Sequence, residues 1–66
     1  MTQPVHHFRE GDRVQLIRPF GTVAVGIYGT ILTRFLGSLL YDVRFDGHKA
    51  PYIILESYLA PVSADP

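Results

Sequence analysis

The stretch LYDVRFDG, residues 40–47, alternates apolar and polar side chains residue by residue. Counted from Leu39, the residues Leu39, Tyr41, Val43 and Phe45 fall on one face, and Leu40, Asp42, Arg44 and Asp46 on the other. A period of two is that of a strand with one face buried. Asp46-Gly47 then supplies the positive-φ chemistry of a hairpin turn. A chain organised around such a segment is built from strands.

Working outward, Gly37-Ser38 turns the chain into this strand from an earlier one spanning Tyr28 to Phe35. Before that lies a glycine-punctuated apolar loop, PFGTVAVGIYG, residues 19–29. A first strand is expected over Asp12 to Arg18, with Val14 and Leu16 on one face and Arg13, Gln15 and Ile17 on the other. Pro19 ends it by removing a ladder donor. After the Asp46-Gly47 turn, a fourth strand is expected over Lys49 to Leu55, one helical turn over Glu56-Ser57-Tyr58, and a short last strand over Leu59 to Val62. No stretch of useful length carries the helical period. This order resembles a small five-stranded Src-homology-3-like barrel: all-β, with a long first loop and a one-turn helix before the last strand. Val14, Leu16, Ile31, Val43, Phe45 and Ile54 form its expected core. The domain is expected over residues 8–62, between a flexible lead, 1–7, and a disordered tail, 63–66.

With 66 residues the chain makes one domain. A domain of this size buries only about 60% of its unfolded surface. No cysteine is present to staple it. Yet 47% of the residues are hydrophobic and the mean hydropathy is +0.15, more apolar side chain than so small an interior can absorb. The composition points to association with another chain. Six cations balance six anions, and their scatter argues against nucleic acid, which needs clustered positive charge. The N-terminus lacks a basic start followed by an apolar stretch, so no signal peptide is read there. The longest run without a charged residue, Pro19 to Thr33, is too short to span a bilayer. The expectation is a cytoplasmic protein with no membrane insertion.

Leu40-Tyr41-Asp42-Val43 resembles the tyrosine signature of signalling Src-homology-3 domains, where aromatic residues help line a groove for proline-rich peptides. In that family the motif precedes the long first loop; here it follows it, and tryptophan, a main floor residue of such grooves, is absent. The proline-groove reading therefore fails. The segments GDRVQLIRP, GTI and YDVRFD are similar to the PsaE family of photosystem I, through Arg13, Val14, Leu16, Ile17, Arg18, Pro19, Gly29, Thr30, Ile31, Val43, Arg44 and Phe45. KOW modules of ribosomal and transcription proteins, and the nitrogen-fixation accessory family NifZ, look similar as well. The aromatic-rich first loop and basic surface of the photosystem family are missing. The resemblance implies the fold and a habit of docking onto a larger assembly.

Candidate chemistry is sparse. GDRV resembles the first strand of type II dihydrofolate reductase, an oligomeric pore enzyme, but the stretch corresponding to its pore motif reads PYIILESY. His6 and His7 are neighbours that point opposite ways on an extended chain, and His48 sits in a turn, so no metal site is expected. Ser38, Ser57 and Ser63 lie in turn or tail contexts without a nucleophile motif. The glycines at 21, 26 and 29 lack the helix and lysine of a phosphate cradle, and no cofactor is expected. Tyr28, Tyr41, Tyr52 and Tyr58 are read as packing residues.

The first loop remains. Phe20, Val23, Val25 and Ile27 are too many for one small core, and Arg18 and Arg34 can rim them. These six residues are the candidate partner-binding surface; the competing reading folds the loop over the barrel's open end as a lid. The functional expectation is a non-catalytic protein–protein interaction module, an accessory subunit or small homo-oligomer. The alternatives are a KOW-like module binding RNA or the transcription or translation machinery, and an oligomeric pore reductase.

Overall fold

A computed structural model describes residues 6–62. The tail expected over 63–66, and most of the lead expected over 1–7, lie outside the described residues. The chain is all-β. Strands β1 (Arg13–Leu16), β2 (Tyr28–Phe35), β3 (Leu40–Phe45), β4 (Tyr52–Leu55) and β5 (Leu59–Pro61) follow in sequence, with a 3-10 turn, Glu56–Tyr58, before β5. Every neighbouring pair is antiparallel, and the order across the sheet is β4-β3-β2-β1-β5. No described helix is long and apolar enough to cross a membrane.

The strand boundaries depart from expectation where backbone donors are diverted or missing. β1 stops at Leu16 because the Ile17 N–H is donated to the Tyr58 carbonyl, at 2.8 Å, tying the chain to the 3-10 turn. β4 starts at Tyr52, not Lys49, since Pro51 has no N–H to give a ladder. The turn at Asp46-Gly47 closes as expected: Gly47 has φ 83°, and the His48 N–H reaches the Phe45 carbonyl at 3.1 Å.

Val14, Leu16, Tyr41, Val43 and Ile54 have no exposed surface at all. A single flat sheet cannot bury its own face without a second layer. The five strands therefore bend around their inner side chains, and one cluster takes contributions from all of them. All six expected core residues belong to it, joined by Phe8, Val23, Tyr41 and Leu59.

Part of the bend comes from β2. Ile31 pairs with Val43 and Thr33 with Asp42, so Leu32 is an extra residue, a β-bulge. The bulge also changes which side chains face outward. Beyond it Phe35 lies opposite Leu40, and Leu40 opposite Leu55 on β4, an apolar row on the outer face. The next row is Thr33, Asp42 and Ile53.

Gly29, which pairs with both Val14 and Phe45, has core side chains and backbone packed closely against it. A Cβ there would lie 2.9 Å from Phe45 Cδ1 and 3.0 Å from both the Arg44 carbonyl oxygen and Val43 Cγ1. Gly29→Ala is expected to lower stability by ~1–3 kcal/mol, the usual cost of overpacking, read from a denaturant midpoint. Val43→Asp places an unpaired charge in the core and should leave no cooperative melt by circular dichroism.

Candidate functional site

Alternation along β3 turns the Tyr41 ring wholly inward, so its hydroxyl must find a partner inside the protein. It donates to Glu56 Oε1 at 2.5 Å and accepts from the Phe8 N–H at 3.4 Å. Glu56 opens the 3-10 turn, and the chain is held there because its own N–H is donated to the Leu39 carbonyl at 2.9 Å. The His7 N–H reaches Glu56 Oε1 at 3.1 Å, and His7 Nδ1 reaches Oε2 at 2.8 Å. An ionised carboxylate only accepts, which assigns the proton of that contact to Nδ1. The His6 ring packs edge-on against Tyr41 with centroids 5.3 Å apart, and its Nε2 lies 3.0 Å from the Phe35 carbonyl oxygen. The two neighbouring histidines thus engage different partners.

Burial pushes the Glu56 carboxyl up, but the hydrogen bonds from Tyr41 and His7 together outweigh it and hold the group below its ordinary 4.5. For Tyr41, burial first and the Glu56 carboxylate second push the phenol from 10.0 up to about 12. Three donors converge on one carboxylate. Such a group clamps segments together: here the residues 6–8, β3 and the 3-10 turn.

Beside the clamp lies an open groove of about 530 Å³, lined by Phe8, Leu39, Leu55, Leu59 and Pro61, with Glu56 on its wall. Leu39, expected on the buried face of its strand, lies just before β3, is 37% exposed and faces this groove. Leu55 is 48% exposed and Leu36, in the β2–β3 turn, 85%. The groove and the outer row Phe35, Leu40 and Leu55 share Leu55, so they form one apolar region at one end of the sheet.

The six residues singled out in sequence are placed in four ways. Val23 is buried at 2% exposure and forms an isolated bridge with Phe20. Phe20 and Ile27 are half-buried against the core, with the Phe20 ring edge-on to Tyr52 and Tyr58 at 6.0 and 6.1 Å. Val25 is exposed, and Arg18 stands over the Tyr58 ring at 6.0 Å. Arg34 lies near the far end of β2 and pairs with Glu10 at 3.2 Å, so it does not rim the loop. The groove residues escaped the sequence reading. The available signal was Tyr41 itself: a tyrosine on a buried face needs a partner, and Glu56 follows the next apolar strand.

A second, polar cleft of about 430 Å³ lies where Thr30, Arg44, Asp46, His48 and Lys49 meet. Its carboxylate, Asp46, is neutralised from outside the cleft, because Arg13 reaches across β2 to it in a two-pronged pair at 3.0 and 2.7 Å. Among the described residues no group of three or more His, Cys, Asp or Glu side chains is placed to hold a metal ion. No protein-family model matches the chain, and no curated protein or solved structure matches it either.

The clamp makes stability depend on pH at both ends. Folded Glu56 binds its proton more weakly than the unfolded chain does, so its share is complete above pH 4.5 and is lost as pH falls through the depressed folded value. Folded Tyr41 binds its proton more tightly, so its share is complete below pH 10.0 and is lost as pH rises toward about 12. Tyr41→Phe is expected to cost ~1–3 kcal/mol at neutral pH, because it strips a partner from Glu56 and from the Phe8 N–H. In urea titrations across pH, the same variant should lose this tyrosine's share of the alkaline decline.

Proposed function

We propose that the chain is a non-catalytic protein–protein interaction module, an accessory subunit or small homo-oligomer, on a small barrel of the Src-homology-3-like type. The bent five-stranded antiparallel sheet and the 3-10 turn before the last strand support that type. One observation carries the functional reading: large apolar side chains stand exposed together at one end of the sheet. Leu39 and Leu55, at 37% and 48% exposure, border a groove whose floor is also apolar, and Leu36, at 85%, stands in the turn that leads to Leu39. Apolar area concentrated in this way, with a carboxylate on the wall, has the make-up of an interface core with a polar rim.

The first loop contributes less to this surface than its composition implies. Val23 and Phe20 are engaged with the barrel, and Val25 with Arg18 remains available to a partner. Leu36→Ser combined with Leu39→Ser removes exposed apolar surface from the β2–β3 turn and from the groove wall, and the melt should shift by no more than the equivalent of ~1 kcal/mol. Binding of the cognate protein, followed by surface-immobilised titration, is expected to weaken at least tenfold, about 1.4 kcal/mol. Affinity for RNA that falls steeply with salt and ignores these substitutions would instead favour the KOW-like alternative.

A further inference from the structure

The two strands at the ends of the sheet order are treated differently. β5 has three residues and ends on Pro61, which offers no N–H, so that edge is blunted. β4 reads Tyr52-Ile53-Ile54-Leu55 and carries no charge, proline or glycine. Its ladder with β3 pairs Tyr41 with Ile54 and Val43 with Tyr52. The bond from Glu56 N–H to the Leu39 carbonyl continues that set by one step. In an antiparallel ladder, hydrogen-bonded pairs alternate with pairs whose N–H and C=O point away. Tyr52 and Ile54 therefore use their backbone groups on β3, and Ile53 and Leu55 turn theirs to the edge, which no described strand covers. The side chains of these same two residues stand on the outer face, 54% and 48% exposed.

We propose that this edge is the seam of a symmetric dimer, in which β4 of one copy pairs antiparallel with β4 of a second copy. The inference rests on the interaction-module reading and names its partner. Identical strands suit one another here for three reasons. Antiparallel pairing of like with like is what a twofold axis generates. An uncharged strand brings no like charges together, and the chain as a whole has net charge zero. The register is also restricted. Pairing Ile53 with itself would set Leu55 against Pro51, which has no N–H, whereas pairing Ile53 with Leu55 of the second copy lets each donate to and accept from the other. That register places the twofold axis at Ile54. It joins the outer rows of both copies, Leu55 and Ile53 of one against Ile53 and Leu55 of the other, in cross-strand apolar pairs.

The test compares two substitutions of similar exposure. Ile53 is 54% exposed on the seam, and Ile17, just beyond β1, is 47% exposed. Light scattering over a concentration series should show the wild type passing from monomer to dimer. Ile53→Lys should raise the dimer dissociation constant at least about tenfold, and Ile17→Lys should leave it unchanged. Circular dichroism at low concentration guards against an unfolded Ile53→Lys chain. Should that variant unfold, amide hydrogen exchange of the wild type decides alone. The Ile53 and Leu55 amides should gain protection as concentration rises, while other strand amides do not follow them. A dimer whose Ile53 and Leu55 amides stay unprotected overturns the proposal, as does equal weakening by both lysines. A wild type that remains monomeric overturns it too. In that case, cognate binding still sensitive to Leu36→Ser and Leu39→Ser keeps the interaction-module reading, and its loss removes both.

Discussion

A phenol oxygen enclosed by a bent sheet has to be hydrogen-bonded, and the way Tyr41 meets that demand organises the molecule. Its two partners come from opposite ends of the chain: the Phe8 amide before β1 and the Glu56 carboxylate after β4. Meeting both fixes where the chain enters the sheet and where the 3-10 turn forms. The turn in turn sends β5 back along β1, with Leu59 opposite Leu16. An unpartnered buried hydroxyl or carboxylate costs far more than an average hydrogen bond contributes, so the arrangement is enforced by what breaking it would leave behind. His7 joins the same group through the carboxylate's second oxygen.

The same arithmetic of space explains the outside. A sheet of five short strands encloses one layer of side chains, and ten residues fill it. The remaining leucines and isoleucines have nowhere to go but the surface. They are not spread evenly. The first loop sends Val23 into the core cluster, with Phe20 and Ile27 packed against it, and leaves Val25 exposed. Four of the exposed ones, Leu36, Leu39, Ile53 and Leu55, lie in the β2–β3 turn and along β4, and on β4 outward side chains and outward backbone groups belong to the same two residues.

Much of this was legible in residue order, and the exceptions have identifiable causes. The alternation from Tyr41 to Phe45 placed β3 and the core correctly, because one buried face leaves a strict period of two. Glu56-Ser57-Tyr58 was recognisable as a turn of helix between two short apolar runs. The bulge at Leu32 was not legible: a single extra residue leaves composition and propensity untouched, and only the pairing with Asp42 and Val43 exposes it. Missing the bulge hid the outward position of Phe35, and with it the apolar row. The ion pair of Arg34 with Glu10 was equally hidden, since the two lie on segments with no local signal that they meet. The open edge of β4 follows from strand order, a property of the assembled sheet.

The bulge at Leu32 has a meaning beyond the curvature it adds. In a strand, parity decides which residues are interior, and one supernumerary residue reverses parity for everything downstream of it. Residues 33–35 owe their outward or inward assignment to that offset. A one-residue deletion there would swap the assignments of Phe35 and Arg34 without altering the chemistry of either. The surface of this molecule is thus written in a frame, much as a coding sequence is. Length changes in β2, more than substitutions, are the route by which a chain of this kind would acquire or lose its apolar face while keeping its core.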